Sequence, residues 1–123
     1  MHWLLLLSLV VGEPAPPDLR PGFLDAAKLM TFCQAEGPDA PAGRALCMGY
    51  VVGAVDQLVA QQARREEGRR TICAPRNMTA NDAVNAVIKY SRFAVTANGV
   101  GASSFVRFAM EETYRCPVRG IGR

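Results

Sequence analysis

The chain has 123 residues, half of them apolar, which is enough for one core of ordinary size and argues against a second domain. Its net charge of +3 arises from 14 lysines and arginines interspersed with 11 carboxylates. No continuous basic face tracks a phosphate backbone, so nucleic acid is excluded as a partner class.

Residues 1–12 read as a secretory signal peptide. Met1-His2-Trp3 precedes an apolar run from Leu4 to Val11, and Gly12 stands before the cluster Glu13-Pro14-Ala15-Pro16-Pro17. The run falls short of the roughly 20 residues that a spanning helix needs, but it suits the h-region of an export signal. Val10 and Gly12 serve as the small residues flanking the cut. A buried N-terminal helix is disfavoured, because the prolines would stop it at once. No cysteine follows Gly12, so lipid anchoring is not indicated, and the mature chain is expected to be free of the membrane.

Residues 13–22 form a polar, proline-rich segment expected to stay extended. Residues 23–117 carry four stretches of helical spacing and no convincing period-two strand, and 118–123 form a short tail. The first helix is expected from about Phe23 to Cys33, with Phe23, Ala26, Ala27, Met30 and Cys33 on one face. Residues 36–43 break the pattern. The second, from about Arg44 to Arg65, is apolar on nearly every side through Val59 and is expected to be the central, most buried helix. A charged connection with Gly68 inside it leads to Cys73-Ala74-Pro75.

The third helix has a clear start, since Thr79 caps the free amides and Asp82 sits three residues later, as in a capping box. Val84, Val87, Ile88 and Ser91 share its inner face. The small-residue loop 96–101 ends it. The fourth runs from about Ser103 to Arg115, with Phe105, Val106, Ala109, Met110 and Thr113 inward. The expected fold is all-α, a compact bundle of about four helices whose short connections favour antiparallel neighbours.

Four cysteines, Cys33, Cys47, Cys73 and Cys116, read as a disulfide framework in an exported chain, with three connectivities possible. If the helices alternate up and down, Cys33 and Cys47 lie at one end of the bundle and Cys73 at the other. A helix of about 20 residues is about 30 Å long, whereas a disulfide tolerates at most about 7 Å between α-carbons. The expected pairs are therefore Cys33 with Cys47 and Cys73 with Cys116. In the chain-entropy model the smaller loop contributes roughly 3 kcal/mol and the larger roughly 4. No metal or other cofactor is expected, because the cysteines form no CxxC pair and His2 leaves with the signal.

Loss of His2 also removes every nucleophile–histidine pair, so catalysis of that kind is excluded. Asp56 lies among Gly53, Ala54, Val55 and Leu58, where burial would raise its pKa and suit it to general-acid work. An aspartate tied to backbone amides or to an arginine is the preferred reading, because no second carboxylate stands at useful spacing. Gly49 and Gly53 share a helical face and are expected to let a neighbouring helix pack closely, with Tyr50 half-buried beside them. Arg64, Arg65, Arg69 and Arg70, mixed with Glu66 and Glu67, read as a solvated helix end able to contact an acidic partner. Asn77-Met78-Thr79 matches a glycosylation sequon but overlaps the helix cap.

The segment Cys47-Met48-Gly49-Tyr50-Val51-Val52-Gly53-Ala54-Val55-Asp56 resembles the Cys-x-Gly-Tyr-x-x-Gly-x-x-Asp stretch of the Rap/Tai immunity proteins, which guard bacteria against type VI secretion amidases. Cys73-Ala74-Pro75, the capped helix from Thr79 to Tyr90 and a last helix ending in Cys116 resemble the rest of that pattern, from about Phe23 to Pro117. The resemblance implies a periplasmic helical protein, often a homodimer, that is not an enzyme and that binds a peptidoglycan amidase and blocks its active site. Loops on a rigid scaffold commonly carry recognition, so Asn98, Gly99, Val100 and Gly101 join the arginines at 64, 65, 69 and 70 as expected contacts. The alternative is a periplasmic binding or chaperone-like protein without an effector.

Overall fold

The computed structural model describes residues 22–94 and 99–118, together with Gly12. Residues 1–11, expected as the signal segment, 13–21 of the proline-rich stretch, 95–98, which include the expected contact Asn98, and the tail from 119 lie outside the described residues. Four helices follow one another: α1 (Ala26–Cys33), α2 (Ala40–Ala63), α3 (Ala80–Phe93) and α4 (Ala102–Thr113), with a 3-10 turn at Glu67–Arg69 after α2. Among the described residues, β pairing is confined to two isolated bridges, Asp25 with Gly101 and Ile72 with Arg115. The chain is all-α, as its spacing predicts.

Local chemistry sets the helix starts. α1 begins three residues later than expected, because the Asp25 carboxylate accepts from the Lys28 N–H at 2.7 Å and caps the helix there. Phe23 is thereby left outside the helix and fully exposed rather than inward. α2 begins four residues earlier than expected. Pro41 occupies its first turn, where a proline costs no hydrogen bond. The capping box of α3 is complete: the Thr79 hydroxyl accepts from the Asp82 N–H at 3.1 Å, and the Asp82 carboxylate accepts from the Thr79 N–H at 2.9 Å. α4 buries Phe105, Val106, Ala109 and Met110 as expected, while Thr113 is exposed.

Each helix touches the other three. The core is a single cluster centred on Leu29, Val51, Val87, Val106 and Met110, all at most 1% exposed. α2 contributes Cys47, Val51, Val55 and Leu58 to it, and the buried Gln62 continues the same stripe. It is therefore not buried all round. Leu46, Met48 and Val59 point into solvent, because the other helices pack against the one stripe. On α3 the fully buried residues are Ala83, Ala86 and Val87, with Val84, Ile88 and Ser91 half-buried at the margin.

The cysteines pair as the helix lengths require, Cys33 with Cys47 and Cys73 with Cys116, each with α-carbons 4.9 Å apart. Gly43 admits the close approach of α1 and α2 beside the first bond: a Cβ there would stand 2.8 Å from that of Ala35. The starts of α1 and α4 are tied by their backbones, Ala26 N–H donating to the Val100 carbonyl at 2.8 Å and Ala102 N–H to that of Leu24 at 2.9 Å.

The Thr79→Ala variant, which loses the cap of α3, is expected to be less stable by about 1 kcal/mol in urea unfolding, with an unchanged slope against denaturant.

Candidate functional site

The arginine-bearing turn is built outward from one buried side chain. Gln62, 8% exposed, is the only buried polar residue among those described. Its Oε1 accepts from the N–H groups of Thr71 and Ile72 at 2.9 and 3.3 Å, and its Nε2 donates to the Thr71 hydroxyl at 3.2 Å. The Arg70 Nε donates to the Gln62 backbone carbonyl at 3.1 Å, which also accepts from the Arg65 N–H at 3.1 Å, so a cation is added at the closing turn of α2. Ile72 then enters the core, and the Cys73 N–H donates to the Tyr114 carbonyl at 2.7 Å. Both ends of the turn are therefore held, and Arg64, Arg65 and Arg69 project from it into solvent. Arg69 lies 3.8 Å from Glu66 in an exposed pair worth little.

Arg70 thus serves the scaffold, unlike the three arginines around it. In the other expected segment, Gly99 has φ +98°, a conformation that favours glycine. Val100 and Gly101 are half-buried and spend their backbones on the tie to α1 and on the Asp25 bridge. The structure does not bring the two segments together. Gly101 stands at the start of α4, and the bridge from Ile72 to Arg115 stands at its end. Twelve helical residues separate them, about 18 Å.

Gly49 and Gly53 are the clearest correction to the sequence reading. Both are exposed, and a Cβ on either would meet nothing within 4 Å. No described helix packs on them. Asp56 is likewise exposed, so it is not the buried acid that general-acid chemistry needs, nor, among the described residues, is it held by backbone amides or an arginine. Tyr50 is half-buried against the core, as expected. The outer side of α2 thus presents Leu46, Gly49, Gly53, Asp56 and Ala60 in one exposed row.

Three shallow clefts surround Arg70, of about 470, 460 and 370 Å³. The largest is bordered by Tyr90, Phe108, Glu111, Glu112 and Arg115. Arg115 pairs with Glu112 there. Behind them the Tyr114 phenol has its pKa raised above the ordinary 10.0, because burial disfavours the phenolate and the Asp82 carboxylate repels it. Among the described residues, no group of three His, Cys, Asp or Glu side chains is placed to hold a metal ion. No described helix is long and apolar enough to cross a membrane. What the surface offers is contact area, charge and shape.

The family model of Rap1a immunity proteins matches residues 25–116. The chain belongs to the Rap1a immunity protein family. The matched segment opens on Asp25, the cap of α1, and closes on Cys116, the last sulfur of the second disulfide, so it takes in the whole stapled four-helix unit. Comparisons with curated proteins and with solved structures give no match. As an immunity protein the chain acts on a protein partner, and with its two closed disulfides it is an exported protein.

Sequence reasoning missed Gln62, although the signal was present: it extends the row Cys47, Val51, Val55, Leu58 by one more helical step. Gln62→Ala is expected to cost about 2 to 3 kcal/mol in chemical unfolding, because the N–H groups of Thr71 and Ile72 lose their acceptor. The two kinds of α2 glycine are expected to diverge under the same measurement. Gly53→Ala adds helix propensity in open space and raises stability by about 0.5 to 1 kcal/mol, whereas Gly43→Ala collides with Ala35 and lowers it.

Proposed function

We propose that this Rap1a family member is a periplasmic immunity protein that binds a peptidoglycan amidase effector of type VI secretion and occludes its active site without itself being a catalyst. Cleavage of the signal peptide at residues 1–12 releases it into the periplasm. Family membership across the stapled unit carries this reading. The site chemistry agrees with it: an anchored turn that displays Arg64, Arg65 and Arg69 supplies recognition, not bond breaking.

In this reading the arginine turn makes the main contact. Gly99 reaches the effector from the other end of α4, and Arg70, Val100 and Gly101 hold the two contact regions in place. Long, exposed arginines on a held backbone fit an acidic rim around an enzyme cleft, where charge complementarity speeds encounter and fixes orientation. Disulfides stabilise such a scaffold in the oxidising periplasm.

The test is inhibition of peptidoglycan cleavage by a panel of type VI secretion amidases, starting with any amidase encoded beside the gene. An equimolar amount of the chain is expected to abolish cleavage by its cognate enzyme. Joint replacement of Arg64, Arg65 and Arg69 by alanine is expected to weaken inhibition by about tenfold or more, with unfolding unchanged. Full activity of every amidase in the presence of excess chain would reject the effector class. Intact inhibition by the triple variant would reject the arginine turn.

A further inference from the structure

The two disulfides occupy opposite environments. Cys33 and Cys47 are 7% and 1% exposed, enclosed between α1 and α2, so an external thiolate cannot reach either sulfur while the chain is folded. Cys73 is exposed and Cys116 is half-buried. A cleft of about 460 Å³, bordered by Glu67, Gly68, Arg70 and Val118, opens onto both of them. Two further clefts reach Cys116 and Cys73 separately. Thiol–disulfide exchange depends on access of a thiolate to a disulfide sulfur, and only one of the two bonds grants it.

The second observation concerns what holds Cys73 and Cys116 together apart from the bond. The Cys73 N–H donates to the Tyr114 carbonyl at 2.7 Å, and Ile72 bridges to Arg115. Ile72 is 6% exposed within the core, and the buried Gln62 amide accepts from the N–H groups of Thr71 and Ile72. These contacts do not pass through sulfur. The backbone beside both cysteines is thus tied independently of the bond.

We propose that Cys73–Cys116 is a reversible thiol-exchange site that reacts with a dithiol, while Cys33–Cys47 is a permanent staple. A thiolate of the dithiol attacks the sulfur of Cys73, the exposed residue of the pair, forms a mixed disulfide and expels Cys116 as a thiolate, which takes up a proton. The second thiol of the reagent, as its thiolate, then displaces Cys73 and closes the reagent into its own disulfide. Two electrons and two protons pass in total to Cys73 and Cys116. Because the two resulting thiols stay adjacent, an oxidised dithiol reverses both steps. The bond borders the cleft that contains Arg70, so exchange changes the chemistry of the surface beside the arginine turn while the backbone ties keep the turn in place; any consequence for effector contact rests on the proposed function, and the exchange itself does not.

The experiment needs no partner. The oxidised full chain is equilibrated with graded dithiothreitol, and in a parallel arm with a reduced Cys-x-x-Cys oxidoreductase. It is then alkylated with iodoacetamide and mapped by mass spectrometry, with circular dichroism recorded alongside. Cys73 and Cys116 are expected to be alkylated at a dithiothreitol concentration at least about tenfold lower than Cys33 and Cys47. Helical signal should be unchanged at that point, and the bond should close again when the reductant is removed. Opening in the oxidoreductase arm extends the reactant to protein dithiols; opening by dithiothreitol alone restricts it to small ones. Simultaneous opening of both disulfides, the reverse order, or loss of helical signal as Cys73–Cys116 opens would overturn the proposal.

Discussion

The buried row on α2, from Cys47 through Val51, Val55 and Leu58 to Gln62, is the surface on which the rest of the molecule closes. α1 is bonded to its first member through Cys33, and the segment leaving α2 is stitched to its last through the Gln62 amide. Apolar burial supplies the attraction along the middle of the row, while a covalent bond and a set of hydrogen bonds define its ends. A small four-helix domain has limited core to draw on, so such end constraints count for much in deciding which arrangement of helices is stable.

That arrangement explains the division of the surface. Because three helices gather on one side of α2, its other side is left to solvent with Leu46, Gly49, Gly53 and Val59 exposed. The connection after α2 must then turn back into the core at Ile72, and the arginines that precede this turn have nowhere to go but outward. Arg70 is retained by the Gln62 backbone carbonyl, which sets its side chain apart from those of Arg64, Arg65 and Arg69. A sequence cluster that looks uniform is thus split into one structural cation and three available ones. The same end of the molecule carries the exposed Cys73–Cys116 bond, so covalent state and surface charge meet in one place.

Much of the fold was legible in the residues. Helix number and order, the Thr79 and Asp82 capping box, and the inward face of α4 follow from periodicity and local hydrogen bonding, which need few neighbours to be decided. The disulfide pairing followed too, since the rise of a helix is fixed and the reach of a disulfide is short. The site was less legible. Gly49 and Gly53 look the same whether a helix packs on them or not, because small size permits contact without requiring it. Gln62 looked like surface because a glutamine usually is; its burial follows from the two backbone N–H groups that the chain brings to it ten residues later.

By itself, then, the sequence determined an exported, all-α chain with two specific disulfides, because composition, helical period and helix length are local or nearly local quantities. The match to the Rap1a immunity family rests on the same residues. Only the tertiary structure decided which side of α2 is buried, which arginines project into solvent away from the Gln62 carbonyl, that the two expected contact segments stand at opposite ends of α4, and that one disulfide is enclosed while the other is open. Each of these depends on where distant segments come to lie against one another, and exposure is a property of that packing rather than of any residue taken alone.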